Sequence, residues 1–247
     1  MKKLILFLTL FIIVTKTYSQ IEILKGNGSW LTYSTNVKLS KKFYFGNIFQ
    51  MRRVHFLKET QGYLLAPSLN YKISKAIVLG SGYLYFNYFP NGVSHAYLHK
   101  NEHRFWQSIT LNSSLNNTKI SHRFMFEERI IDRIKTIENS QVIDGTKYAQ
   151  RFRYKMQITF NLFQLKNNKN LLGKVSNEFR IRFNTGISQP DFDQNNFELL
   201  AGYQFYKNAT FWIGYGNYYF KSNSQKFILN NILHCTLSTH FDLTKHS

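Results

Sequence analysis

The chain has 247 residues, with 23 Phe, 16 Tyr, only 3 Pro and one cysteine, Cys235. A single thiol excludes an intrachain disulfide framework and an all-cysteine zinc site, and an aromatic content of 17% favours strands. The formal net charge of +19 would suggest nucleic acid as the partner of an intracellular protein, but the N-terminus argues for export.

Lys2 and Lys3 precede Leu4 to Val14, apolar apart from Thr9, and Thr17-Tyr18-Ser19 supplies small residues before Gln20. That order predicts a secretory signal peptide over residues 1–19. The run is too short to span a bilayer comfortably, and no later stretch is long enough for a transmembrane helix. The mature domain, 20–247, loses Lys2, Lys3 and Lys16 with the leader and remains strongly basic. Its expected partners are outer-membrane lipid and lipopolysaccharide or an anionic solute, not nucleic acid; a solvated, salt-bridged basic surface is the plainer alternative. Without disulfides, an exported chain must draw its stability from a core or a closed sheet.

Alternation dominates the mature chain. Early segments at 29–39, 42–53, 63–74, 76–88, 102–114 and 117–131 carry it weakly. Pro67 lies within one of them and predicts a bulge or break there. The clearest case runs from Tyr148 to Leu162. There Phe152, Tyr154, Met156, Ile158, Phe160 and Leu162 oppose Arg151, Arg153, Lys155, Gln157, Thr159 and Asn161, a period of two and hence a strand with one apolar face. In Val175 to Asn184, Phe179, Ile181 and Phe183 oppose Glu178, Arg180 and Arg182. In Asn196 to Tyr206, Phe197, Leu199, Ala201, Tyr203 and Phe205 oppose Asn196, Glu198 and Gln204. A weaker segment spans 209–220. In Phe227 to Leu243, Leu229, Leu233, Cys235, Leu237, Phe241 and Leu243 oppose Asn230, His234, Thr236, Ser238 and His240.

Short turns near Ser40, Ser74-Lys75, Asn116 and Lys207-Asn208 alternate with longer polar links near 55–62, 89–101, 132–147, 185–194 and 221–226. No linker or repeat divides the chain, so the expectation is one all-β domain, a single antiparallel transmembrane β-barrel in the bacterial outer membrane. About eleven strands are readable, and the even strand number of such barrels favours twelve, with residues 20–27 as a short first strand, or else ten. Phe241-Asp242-Leu243 resembles the final strand through which barrel-assembly machinery recognises its clients, although Thr244 to Ser247 follow it.

If polar faces point inward, consecutive strands bring Glu102 and Arg104, then Arg123, Glu127 and Arg129, then Arg151, Arg153 and Lys155, then Glu178, Arg180 and Arg182, then Glu198 into one charged belt. Arginine forks pair well with carboxylates, so the belt either rigidifies the barrel or offers a wall that binds or conducts anions. The sequence also resembles a known family over most of the mature chain. The pieces that carry the resemblance are Glu102-His103-Arg104, Ser121-His122-Arg123 with Glu127-Glu128-Arg129, Arg151-Phe152-Arg153-Tyr154, Asn177-Glu178-Phe179-Arg180, Asp193-Gln194-Asn195 and Trp212-Ile213-Gly214-Tyr215. They look like a family of Bacteroidota envelope proteins known only as a domain of unknown function, whose members are thought to be outer-membrane barrels. Asn196 stands where the family pattern suggests an Arg. The resemblance implies a fold and a location but no activity.

The competing class is an envelope lipid hydrolase with catalytic residues on the barrel wall. Ser238 and His240 share one face of the last strand with His234, and a Ser–His pair needs only an orienting third group to make a nucleophile. Any polar interior contains such residues, and no phospholipase or deacylase motif surrounds these. Ser121-His122 is a poorer pair because adjacent strand residues face opposite sides. The scattered histidines imply no metal, and no cofactor is expected. Gly80-Ser81-Gly82 lies in a strand-like run, where it marks close packing or a bend rather than a phosphate loop.

Overall fold

The computed structural model describes residues 21–93, 97–165, 169–183, 190–223 and 225–246. The expected leader, residues 1–19, lies outside them. Eleven strands follow in chain order: β1 (Glu22–Lys38), β2 (Phe43–Val54), β3 (Glu59–Lys72), β4 (Ile77–Tyr88), β5 (Lys100–Leu115), β6 (Thr118–Ile137), β7 (Ser140–Gln164), β8 (Asn170–Phe183), β9 (Asp191–Tyr206), β10 (Ala209–Lys221) and β11 (Lys226–Asp242). Each pairs with its sequence neighbours, and β1 pairs with β11 to close the barrel. Closure gives the end strands partners and leaves no open sheet edge.

The expectation of twelve or ten strands is corrected to eleven. Residues 22–27 form no separate strand, because the alternation read over 29–39 extends back without a turn to Glu22. An odd count makes the first and last strands run the same way, so the closing β1–β11 pair is parallel, in register from Glu22↔Lys226 to Lys38↔Asp242. The barrel is therefore antiparallel except at this seam. A parallel ladder satisfies the backbone groups with slanted bonds. The parity rule was an argument from barrel families, and nothing in the backbone chemistry enforces it.

The link expected over 132–147 is also corrected. β6 and β7 run on to a two-residue turn at Glu138 (φ 48°) and Asn139 (φ 63°), the positive-φ pair of a tight hairpin turn. Polar composition hid these strand ends because they project beyond the other strands. Ile134↔Ile143 continues the ladder there, and Lys135 pairs with Asp144 near the tip. Pro67 stays inside β3, but the ladder to β4 jumps from Leu65↔Tyr85 to Ser68↔Gly82, as expected of a residue with no N–H to donate.

The strands are strongly tilted. Ladder partners traced from Trp30 through Arg52, Gly62 and Tyr88 reach Lys100 on β5. Traced the other way, through His234, Gly214, Leu200, Lys174, Thr159 and Lys119, they reach Ser114. This stagger of fourteen positions is what tilts strands against a barrel axis. It brings residues from distant ladder rungs to one level inside. The interior is packed on one side by Leu64, Ala66, Leu84 and Phe86, with Tyr88 and Trp106 against them. Trp106 lies so close over Gly82 that a Cβ there would come within 2.5 Å of its ring. The Gly80-Ser81-Gly82 run is thus a bed for an indole.

The seam can be tested with the protein's own thiol. Cys235 stands opposite Leu31 across the parallel β1–β11 ladder, at a separation that disulfide geometry tolerates. Oxidised Leu31→Cys protein should form an intramolecular disulfide between the introduced thiol and Cys235, read by non-reducing mobility and peptide mass. An even-stranded, antiparallel closure would leave both thiols free.

Candidate functional site

The alternation of β5 to β9 turns the polar residues inward, and the ladder sets neighbouring strands so that carboxylates and guanidinium groups meet. Glu102 is 1% exposed, and its Oε1 accepts from Arg104 Nε (2.7 Å) and Arg129 Nε (2.5 Å). Its Oε2 accepts from the Tyr88 hydroxyl at 2.9 Å. Glu127 is fully buried and accepts from Arg151 Nε at 2.7 Å and Arg153 Nη1 at 2.6 Å, with Arg104 Nη1 at 4.0 Å. Glu178 accepts from Arg123 Nη2 at 2.7 Å, Arg153 Nη2 at 2.8 Å and Arg180 Nε at 2.7 Å. Nine of the twelve belt residues read from the sequence form one connected network, with Arg153 bridging Glu127 to Glu178. The other three pair outside it: Lys155 with Glu198 at 3.2 Å, and Arg182 with Asp191 at 2.8 Å beside Lys221.

Several interior residues lie outside the belt read from the sequence. Asp193 accepts from Arg151 Nη1 at 2.9 Å. Asn196, buried, can turn its amide oxygen to accept from Arg180 Nη2 at 2.8 Å. An Arg at this position would set a second cation against Arg180. The Tyr218 hydroxyl donates to Glu198 at 2.7 Å and lies 2.9 Å from His234 Nε2, so that nitrogen carries the hydrogen. Arg52, on β2, is held by the rings of Trp30 (3.9 Å) and Phe86 (4.5 Å) and donates from Nε to Gln50 at 2.7 Å. Such contacts stabilise a cation most where water is scarce. The even-numbered inward positions of β2 were the available signal, but β2 alternates weakly and Arg53 beside it blurs the pattern.

The wall of cations and the apolar wall enclose a cavity of about 660 Å³. Its lining reaches from Asn36, Gly46, Asn70 and Thr110 to Phe220 and Asn230. Eight cations line it, Arg52, Arg104, Arg123, Arg129, Arg151, Arg153, Lys155 and Arg180, with the carboxylates Glu127, Glu178, Asp193 and Glu198. Glu102 backs Arg104 and Arg129. Ser238 and His240 are not brought together as a nucleophile and base. Among the described residues no hydrogen bond joins them, and exposed His240 sits at the turn end, its backbone N–H donating to Asn208. No group of three or more His, Cys, Asp or Glu residues among the described ones is placed to hold a metal ion.

A family model described as a protein of unknown function (DUF2490) matches residues 27–228, from within β1 to the start of β11. The chain belongs to the DUF2490 family. Every piece that carried the sequence resemblance, from Glu102-His103-Arg104 to Trp212-Ile213-Gly214-Tyr215, falls inside the matched region. No curated protein and no solved structure matches the chain. The DUF2490 match spans the whole ion-pair network.

Breaking that network should be costly. Glu127→Gln leaves Arg151 and Arg153 without their shared carboxylate in a buried setting, and about 3–5 kcal/mol of stability should be lost. Arg133→Gln removes a pair exposed on the projecting hairpin and should change little. Thermal unfolding of the two variants side by side measures the difference.

Proposed function

We propose that this DUF2490 chain is an outer-membrane β-barrel whose interior is a narrow, positively charged passage, serving as a structural barrel or as a small pore that prefers anions. The observation that carries this reading is the inside-out distribution of side chains. Glu102, Glu127, Glu178, Arg104 and Arg151 are buried inside, while Phe49, Leu65, Phe105, Phe126, Leu199 and Ile213 stand exposed on the outer face. Water is a poor solvent for that outer face, and the hydrocarbon of a bilayer is a good one. Aromatic clusters mark both ends of the outer wall. Phe43 with Tyr71 and Tyr203 with Phe205 lie toward the short turns. Phe179, Phe192, Tyr219 and Phe227 lie toward the other end. Such girdles belong at bilayer interfaces. The signal sequence at residues 1–19 supports export, and the short-turn end would face the periplasm.

The interior argues for a small bore. A cavity of about 660 Å³ holds about twenty waters at roughly 30 Å³ each, about two files of water across the ~30 Å hydrocarbon core of a membrane. Eight lining cations against four carboxylates, or five with Glu102, leave a positive surplus, which raises local anion concentration.

Fractionation should recover the mature protein with outer-membrane markers, migrating differently on a gel before and after heating. A soluble periplasmic monomer would overturn the reading. Ile158→Arg, on the outer face of β7, should cost about 2–4 kcal/mol in lipid if it lies near the bilayer midplane, measured by unfolding in vesicles.

Reconstituted protein under a salt gradient should give small, anion-selective currents. Replacing Arg151, Arg153 and Arg180 by Gln should move the reversal potential toward cations. Absence of any current would leave the structural barrel.

A further inference from the structure

The arginines on β5 to β8 each meet a carboxylate, but Arg52 does not. It enters from β2, on the opposite side of the cavity, gripped by Trp30 and Phe86. Among the described residues it forms no ion pair, and only its Nε makes a hydrogen bond, to Gln50. Its two Nη groups are left for the cavity that Arg52 lines. Arg129, on the facing wall, is in a similar condition. Its Nε is taken by Glu102 at 2.5 Å, and its Nη groups make no hydrogen bond among the described residues. Tyr88 stands between them: its ring packs on Phe86 at 3.8 Å, the ring that Arg52 covers, and its hydroxyl donates to Glu102, which holds Arg129, so both arginines border one region of the cavity they line.

We infer that this region is a binding site for a phosphoryl group carried by a phosphate monoester, with Arg52 and Arg129 as its principal ligands. A phosphoryl group brings a charge of about −1.5 to −2 at neutral pH and three acceptor oxygens. That matches a site where cations exceed carboxylates and where guanidinium forks approach from two walls. A planar carboxylate offers one charge and two oxygens, and offsets less of the surplus. The organic part of the ester has its own contact surface, because Leu64, Ala66 and Leu84 line the same cavity. A volume of about 660 Å³ is in the range of small-molecule sites, roughly 300–1,000 Å³. The trapped guanidinium is preorganised, since two rings hold it before any ligand arrives. The inference rests on the positive interior of the proposed function but not on where the barrel resides.

The test uses the purified full chain in detergent, titrated with phenyl phosphate, benzoate, glycerol phosphate and lysophosphatidic acid. Phenyl phosphate should bind one-to-one and raise the melting temperature, and benzoate should bind at least about tenfold more weakly. Arg52→Gln should weaken phenyl phosphate by at least about tenfold, while Arg133→Gln on the exposed hairpin should not. If Arg52→Gln loses its heat-modifiable migration, Arg129→Gln is read in its place, since Glu102 then keeps Arg104. Tighter binding of lysophosphatidic acid than of glycerol phosphate would assign the site to a lipid headgroup, and equal binding to a soluble ester. Wild-type protein that binds none of the phosphates, or a folded site variant with full affinity, overturns the inference. An outer-membrane barrel that binds no phosphate keeps the proposed function and loses this site; a phosphate-binding protein found outside the membrane does the reverse.

Discussion

Glu127 is fully buried at the middle of β6, with Arg151 and Arg153 of β7 on its two oxygens and Arg104 of β5 nearby. A lone carboxylate in that position would be prohibitive, and so would the arginines without it. Each of these strands needs the next one in register to satisfy its own charge. Arg153 then passes the requirement on to Glu178, which holds Arg123 and Arg180. The network ties β5, β6, β7 and β8 together through the interior, independently of the backbone ladder. A one-residue slip of any strand would turn these charges outward and the phenylalanines inward. Register is therefore specified from both faces.

The opposite half of the barrel follows different physics. There Leu64, Ala66, Leu84 and Phe86 pack with Trp106 and Tyr88, and a cation among them, Arg52, is stabilised by aromatic rings. The two halves leave an asymmetric cavity between a hydrogen-bonding wall and an apolar one. Asymmetry of this kind is what a site for an amphiphilic anion needs, and a uniformly charged interior would lack it. The same asymmetry keeps the cavity small, because large aromatic side chains fill the half that carries few charges.

The stagger of the sheet connects these halves. Arg52 and Tyr88 sit only a few rungs from Trp30 on one route round the barrel, whereas Glu198 and His234 reach it by the other. The Tyr218 hydroxyl, bonded to Glu198 and His234, lies against Trp30 at a ring distance of 4.4 Å. The polar and aromatic walls therefore meet at the β1–β11 closure. That closure is parallel because eleven strands cannot return to their starting direction. It sends the two termini of the described chain to opposite ends of the barrel.

Most of the fold was legible in the sequence because a period of two is a local property. All eleven strand segments were readable, the clearest being Tyr148 to Leu162, and so was the facing of Arg151, Arg153, Glu178 and Arg180, since each strand declares its own two sides. The belt was also legible as a list, because antiparallel neighbours in sequence are neighbours in space. What the sequence alone could not supply was everything that depends on closure. It could not say that β1 meets β11, that the meeting is parallel, or that residues 22–27 merely lengthen β1. It placed a loop over 132–147 because polarity there resembles a loop, whereas the ladder between β6 and β7 makes it strand. Arg52 escaped notice for the same reason. Its importance comes from Trp30 and Phe86, which are distant in sequence, and from the absence of an ion-pair partner among the described residues. Such a property belongs to the assembled interior, because the stagger of a closed sheet, and not the order of residues, decides which side chains share a level.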